Sequence, residues 1–249
     1  MKRIVIKIGT NLLTDHHQRL DLNNMRHIVY QIVEKINENI QFIIISSGAI
    51  TSGAKHINIA TDNLAEKQAA ASIGQILLFQ KYYEFFQTKN ICVGQLLLTK
   101  DNFDDKSKKM NINQTIETLL KHNVIPIINE NDSVSTEEIQ FGDNDQLSAI
   151  LATNLRATEL IILTNTDGVL DQNGMVIPKI NNITDSELNL VDDQMGSPYS
   201  KGGMRSKLMA AKIAQLENIK VTIANGRTEN IIHTILSDEN VGTQIQPLT

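Results

Sequence analysis

The chain has 249 residues, 41% hydrophobic and 20% charged, with no tryptophan and a formal net charge of -5 at pH 7. That size and apolar content suit one globular domain over residues 1–249, and the negative balance argues against a nucleic-acid partner, whose phosphates call for a basic surface. The single cysteine, Cys92, excludes an intrachain disulfide, and the apolar run within Met1 to Gly9 is too short for a secretory leader or membrane span, so no membrane contact and a cytoplasmic location are expected.

The first predicted strand is Ile4 to Ile8. Met25, Ile28, Val29, Ile32, Val33 and Ile36 then recur at three- and four-residue steps, the stripe of an amphipathic helix. Strand Phe42 to Ile45 follows, then a helix at about Leu64 to Phe79 and strand Ile91 to Leu98, in which Cys92 reads as a buried, inert thiol. The basic cluster Lys106 to Lys109, flanked by Asp104 and Asp105, reads as a solvated segment.

Next come a helix at Asn111 to His122, strand Val124 to Ile128, a helix at Asp145 to Leu155 and strand Leu160 to Leu163. Val169 to Ile180, with Asn173-Gly174 at its centre, predicts an antiparallel hairpin with a type I′ turn that extends the sheet. Asp185 to Ser200 reads as a surface loop. A helix at Gly203 to Leu216, strand Val221 to Ile223 and a helix at Gly226 to Leu236 complete the chain. Strands alternating with helices predict an α/β fold, a three-layer αβα sandwich on a mainly parallel open sheet.

Lys7 stands inside an otherwise apolar strand. Alone it reads as an edge-strand lysine facing water; the turn at Gly9-Thr10-Asn11 favours an anion beside it, because glycine lets backbone approach a phosphate closely. Ser46-Ser-Gly-Ala-Ile-Thr-Ser-Gly53 ends the second strand, where open α/β sheets bind ligands. It is not a P-loop, since Ala54 and Lys55 follow Gly53, and a simple glycine-rich turn is the bland alternative. No Gly-x-Gly-x-x-Gly follows the first strand.

Asn129-Glu-Asn-Asp-Ser-Val-Ser135 and Phe141-Gly-Asp-Asn-Asp-Gln-Leu-Ser-Ala149 are two dense acid and amide clusters suited to a zwitterionic ligand. Any one of these residues could instead cap the helix near Asp145, although one helix start cannot use them all. In Ser200-Lys-Gly-Gly-Met-Arg-Ser-Lys207, paired glycines open a helix whose amides face an anion. Lys207 in its first turn opposes the helix dipole unless a phosphate lies between them; a solvated lysine is the alternative. The histidines, including the adjacent His16-His17, show no metal-ligand spacing, and no glycine-flanked serine elbow is present.

Taken in order, Val5-Ile-Lys-Ile-Gly-Thr10, Ser46-Ser-Gly-Ala-Ile50, Gly94-Gln-Leu-Leu-Leu-Thr99, Ile125-Pro-Ile-Ile-Asn-Glu-Asn-Asp-Ser133, Phe141 to Ala149 and Gly202-Gly-Met-Arg-Ser-Lys207 resemble the amino acid kinase family over nearly the whole chain. The first and last motifs are similar to those of several members, including acetylglutamate, aspartate, uridylate, carbamate and isopentenyl phosphate kinases; the paired central motifs select glutamate.

The resemblance implies the amino acid kinase fold and ATP-dependent phosphorylation of the L-glutamate side-chain carboxylate to glutamate 5-phosphate, the first step of proline synthesis. It implies catalytic Lys7 and Lys207 at the transferred phosphoryl group, with Asp145 as organiser of those lysines. Ser47, Gly48, Asp132 and Asn144 are the implied glutamate site. Lys7, Gly9, Thr164, Asn165 and the run Lys201, Gly202, Gly203, Met204, Arg205, Ser206 and Lys207 are the implied ATP site.

Mg²⁺ is expected on phosphate oxygens and water, with no protein metal ligand. Homo-oligomers are implied, with glutamate 5-phosphate reductase as a further partner. The chain departs from the usual pattern at Thr164-Asn165-Thr166-Asp167, where relatives carry Thr-Asp, and at Lys201, where a threonine is common. Many relatives carry a C-terminal PUA domain; the chain ends at Thr249, so none is expected.

Overall fold

The apolar runs become strands whose two sides feed two separate cores. The computed structural model describes residues 1–15, 17, 19–36, 39–57, 63–135, 144–184, 187–188 and 203–248. Strand β1 (Lys2–Ile8) lies centrally, parallel to β2 (Ile40–Ser46) on one side and β5 (Glu159–Thr164) on the other. Beyond β2 come β4 (Ile125–Glu130) and the edge strand β3 (Val93–Leu98); beyond β5 come β7 (Lys220–Asn225), β8 (Thr243–Ile245) and β6 (Lys179–Ile180). The sheet order is β3-β4-β2-β1-β5-β7-β8-β6, and among the described strands only the β7–β8 pairing is antiparallel. The carboxyl ends of β1, β2, β4, β5 and β7 therefore line one edge, the place where an open α/β sheet holds its ligands.

Side chains alternate across a strand, so Ile4, Ile6 and Ile8 face one layer and Val5 and Lys7 the other. The first layer is α2 (Leu22–Lys35), α4 (Leu64–Gln87) and α9 (Ile231–Leu236), which bury Met25, Ile28, Ile32, Leu78, Phe86 and Ile232 with the even β1 residues. The opposite layer is α6 (Lys106–Lys121), α7 (Asn144–Asn154) and α8 (Met204–Leu216), whose Ile116, Leu147, Leu151, Leu208 and Ala211 pack with Val5, Ile45 and Ile162. These are the three layers expected of an αβα sandwich.

Turns from helix to strand share one device. Asn90, Asn123 and Asn218 adopt left-handed φ values of 57°, 56° and 58° before β3, β4 and β7. The residue after each donates back into the helix it has left, Ile91 N to Phe86 O, Val124 N to Leu119 O and Ile219 N to Ala214 O, satisfying terminal carbonyls. Asparagine tolerates this conformation better than most residues.

Short helices α1 (Thr10–Leu13), α3 (Ala49–Ile57) and α5 (Asp101–Asp104) follow β1, β2 and β3. Gly53, for which a simple glycine-rich turn is the alternative reading, lies inside α3 against Gly74 of α4. A Cβ on Gly53 would stand 1.9 Å from Ala70 O, and one on Gly74 1.8 Å from Ala49 O, so the two helices cross backbone to backbone.

Other expectations need correction. Cys92 is exposed, because it precedes a strand that has a neighbour on one side alone. The hairpin at Val169 to Ile180 shrinks to a single Leu170–Val176 bridge. Asn173 keeps a negative φ and only Gly174 (φ 76°) is left-handed, so the turn is not type I′; Asp171 Oδ1 takes the amides of Asn173 and Met175 instead. The sheet is extended there by β8 and β6. Helix α6 begins at Lys106 because Asp105 caps it, which leaves the basic cluster as its exposed first turn. Most of the Asp185 to Ser200 loop lies outside the described residues.

Candidate active site

The parity that sends Val5 into the α7/α8 layer sends Lys7 there too. Lys7 is not an edge lysine: its strand is central and the residue is 4% exposed. Its Nζ lies 2.6 Å from Oδ1 of Asp145, in the first turn of α7, where an acid also suits the helix dipole. Lys207, in the first turn of α8, brings its Nζ to 3.2 Å from the other oxygen, Oδ2. Asp145 is fully buried and Lys207 is 6% exposed.

Burial pushes the Asp145 carboxyl up, but the ammonium of Lys7 and then that of Lys207 outweigh it and hold the group below the usual aspartate range. Two ammoniums thus flank one carboxylate at the ligand edge of the sheet. Gly9 gives this cluster room: a Cβ there would lie 3.3 Å from Leu163 O and 3.8 Å from Lys7 Nζ. Its amide donates to Leu163 O at 3.1 Å and serves the β1–β5 junction.

A second polar cluster joins the ends of β2 and β4 to the start of α7. Asn144 Nδ2 donates to Ser46 O (3.2 Å), Ser47 Oγ (3.0 Å) and Asn129 Oδ1 (2.8 Å), and its Oδ1 accepts from Glu130 N (3.3 Å). Ser47 N donates to Ile8 O, which ties this turn to β1. Gly48 has φ 96°, a conformation that favours glycine, and so turns the chain from β2 into α3. Asp132 is half-buried in the turn just after β4.

On the other side of β1, Thr164 ends β5 buried, with its carbonyl accepting from Gly226 N at 2.9 Å, and Asn165 is exposed beyond it. Gly203 caps α8 in extended conformation, followed by Met204, Arg205 and Ser206 in its first turn. Arg205 donates to Leu188 O at 3.0 Å. Lys201 and Gly202 lie outside the described residues, as do Phe141, Gly142 and Asp143. The structure thus brings Lys7, Asp145 and Lys207 into contact, and Ser47 and Asn144 into contact, along the same edge.

A sequence profile of the amino acid kinase family matches residues 2–225. The chain belongs to the amino acid kinase family. It is therefore a kinase, of a family that uses ATP. A glutamate 5-kinase of Caldanaerobacter subterraneus subsp. tengcongensis is 39% identical to it over 254 residues, spanning 99% of this chain and 68% of that protein. One of Clostridium acetobutylicum is 38% identical and spans 99% of this chain and 95% of its own length. Another, of Haemophilus influenzae strain PittEE, is 36% identical over 98% of this chain and 68% of its own. Among the described residues no helix is long and apolar enough to cross a membrane.

Several residues along this edge carried no individual role in the sequence. Asn129 is buried and receives Asn144, and its own Nδ2 donates to Gln75 Oε1 at 2.7 Å. Ser46 Oγ and Tyr82 OH lie 3.0 Å apart; burial pushes the Tyr82 hydroxyl well up and the Ser46 contact only partly offsets this. The available signal was polarity at the end of an apolar strand, as at Ser46 and Asn129, since a buried polar side chain needs a partner. Gln75 carried no such signal, because a glutamine on a long helix is ordinarily solvated.

Proposed function

We propose that this chain is a glutamate 5-kinase, transferring the γ-phosphoryl group of ATP to the side-chain carboxylate of L-glutamate. The observation that carries the reading is the meeting of two buried ammoniums, Lys7 and Lys207, on the Asp145 carboxylate at the carboxyl edge of the sheet. Two ammoniums aimed from different elements at one point suit the charge of a polyphosphate beside a carboxylate. The glutamate 5-kinases that resemble the chain over nearly its whole length supply the acceptor.

The chemistry needs little proton traffic. A glutamate carboxylate, with an ordinary pKa of about 4.3, is ionised near neutral pH. One of its oxygens attacks the γ-phosphorus, the bond to the ADP oxygen breaks, and ADP and an acyl phosphate leave. The barrier comes from bringing two anions into line, and Lys7 and Lys207 offset it by stabilising charge on the transferred oxygens. Asp145 keeps both ammoniums aimed.

Ser47, Gly48, Asp132 and Asn144 take the glutamate end in this reading. Gly9, Thr164, Asn165 and the stretch from Lys201 to Lys207 take ATP. Among the described residues no group of three His, Cys, Asp or Glu side chains is placed to hold a metal, and both oxygens of Asp145 already face lysines. In this reading Mg²⁺ sits on the ATP phosphates and water, as its reluctance to dehydrate favours.

The proposal includes one amino acid kinase domain over residues 1–249, a cytoplasmic homo-oligomer, and transfer of the labile acyl phosphate to glutamate 5-phosphate reductase. ADP release with ATP, Mg²⁺ and a panel of glutamate, N-acetylglutamate, aspartate, carbamate and uridylate tests it. Glutamate is expected to support turnover above all the others. ADP release with another acceptor and none with glutamate would overturn the proposal.

A further inference from the structure

The hydrogen bonds behind Ser47 have a direction, and backbone groups set it. The Glu130 amide can only donate, and it points at Asn129 Oδ1 (2.9 Å) and at Asn144 Oδ1 (3.3 Å). The Ser46 carbonyl can only accept, and it takes Asn144 Nδ2. Both asparagine amides are thereby oriented. Asn144 Nδ2 must donate to Ser47 Oγ, and Asn129 turns its own Nδ2 toward α4, where Gln75 Oε1 receives it at 2.7 Å. Ser47 Oγ already accepts, and among the described residues no acceptor takes its hydrogen. The hydroxyl is left as a donor to a ligand oxygen.

Gln75 is held where it is by packing. Its neighbour Gly74 is the residue that meets Gly53 backbone to backbone, so the depth of α4 against α3 sets the reach of Gln75 to Asn129. Asn129 is buried, and without Gln75 Oε1 its NH₂ group would have lost that acceptor, a penalty that tilts the amide out of the network.

We propose that Gln75 is a positioning residue for the acceptor substrate: by accepting from Asn129 it keeps Asn129 and Asn144 in the orientation that leaves the Ser47 hydroxyl as a donor to a substrate carboxylate oxygen. This rests on the reading of the site as one that phosphorylates glutamate. Gln75 touches no substrate itself and acts through three side chains.

Three variants of the full chain test it. Gln75→Leu removes the acceptor at similar length, Gln75→Glu keeps an oxygen for Asn129, and Gln75→Lys presents only a donor. Gln75→Leu and Gln75→Lys are expected to raise KM for glutamate about tenfold, the weight of one net hydrogen bond. KM for ATP and kcat should stay within about twofold, and Gln75→Glu should lie close to the parent.

In the ligand-free protein, the side-chain amide NMR signals of Asn129 and Asn144 should move in Gln75→Leu and hold in Gln75→Glu. Unmoved signals, an equal rise in both KM values, or a Gln75→Glu variant as poor as Gln75→Leu would overturn the role. A parent chain that phosphorylates no glutamate would remove the functional reading alone, and the ligand-free spectra would then decide on Gln75.

Discussion

Lys7 and Lys207 share one carboxylate, each holding a different oxygen of Asp145, at 2.6 and 3.2 Å. They arrive from the central strand and from the first turn of α8, and meet because odd-numbered β1 side chains face the layer built by α7 and α8. The carboxylate lies between two positive charges that would otherwise repel. A phosphoryl group entering between them would meet two donors already aimed, with no reorganisation left for the transition state.

The two kinds of partner are expected to fail differently. Asp145→Asn leaves two buried ammoniums without their counter-charge and should cost about 3–5 kcal/mol of stability. Lys207→Met leaves a balanced Lys7–Asp145 pair, so its stability loss should be roughly half of that or less. Turnover should still fall about 10²–10³-fold, because a charge partner of the transition state is gone. Urea midpoints and steady-state rates check the pair. Near-normal turnover in Lys207→Met would remove its catalytic role.

Acid stability follows from the same triad. Burial raises the Asp145 carboxyl and the two ammoniums lower it further, so its folded value lies below the ordinary aspartate value of about 3.9. A folded pKa below the unfolded one contributes stability that is fully present above the unfolded value and is lost as pH falls through the folded value. The loss attributable to Asp145 therefore belongs below about pH 4. Lys207→Met removes one of the two lowering charges, and its acid-unfolding midpoint should move to higher pH. Far-UV circular dichroism against pH is the measurement, since the chain has no tryptophan to report by fluorescence. A midpoint that stays put would mean that other groups govern acid unfolding.

Much of this arrangement was legible as pattern. The apolar runs mark the long strands, and the period of two within Ile4 to Ile8 sets Lys7 on the Val5 side once β1 is known to be central. Centrality itself was not legible, which is why Lys7 alone read as an edge lysine. Strand β8 escaped notice because three residues, Thr243 to Ile245, carry too little periodicity to register. Helix α9 starts at Ile231, later than expected from Gly226, because Gly226 N is held by Thr164 O, Arg227 pairs with Asp21 at 2.8 Å and Asn230 is left-handed. These are long-range contacts that no local window contains.

The Gly53 and Gly74 crossing predicts sharp intolerance. Gly53→Ala and Gly74→Ala each drive a methyl group into backbone, at 1.9 Å from Ala70 O and 1.8 Å from Ala49 O. Backbone cannot yield as a flexible side chain does, so a loss of about 1–3 kcal/mol or more is expected, with α3 forced away from α4. Gly174→Ala makes the contrast. Nothing lies within 4 Å of its Cβ and only the φ of 76° opposes it, so about 1–2 kcal/mol is expected. Thermal melts that rank Gly174→Ala as the worst of the three would refute the backbone crossing.

Asp132 gives the last contrast. It stands in the turn leaving β4, close in sequence to Asn129 and Glu130, whereas Thr164 ends β5 on the other side of β1. A carboxylate there suits the ammonium group of an amino acid, and removing one partner of a charge-assisted hydrogen bond costs about 1.5–3 kcal/mol. Asp132→Ala is therefore expected to raise KM for glutamate about 10–100-fold while KM for ATP changes little. Initial rates measured across both substrate concentrations separate the two effects. If both KM values rise together, Asp132 holds the turn after β4 instead of the amino acid, because a displaced turn would disturb Asn144 and, through α7, the carboxylate that both lysines share.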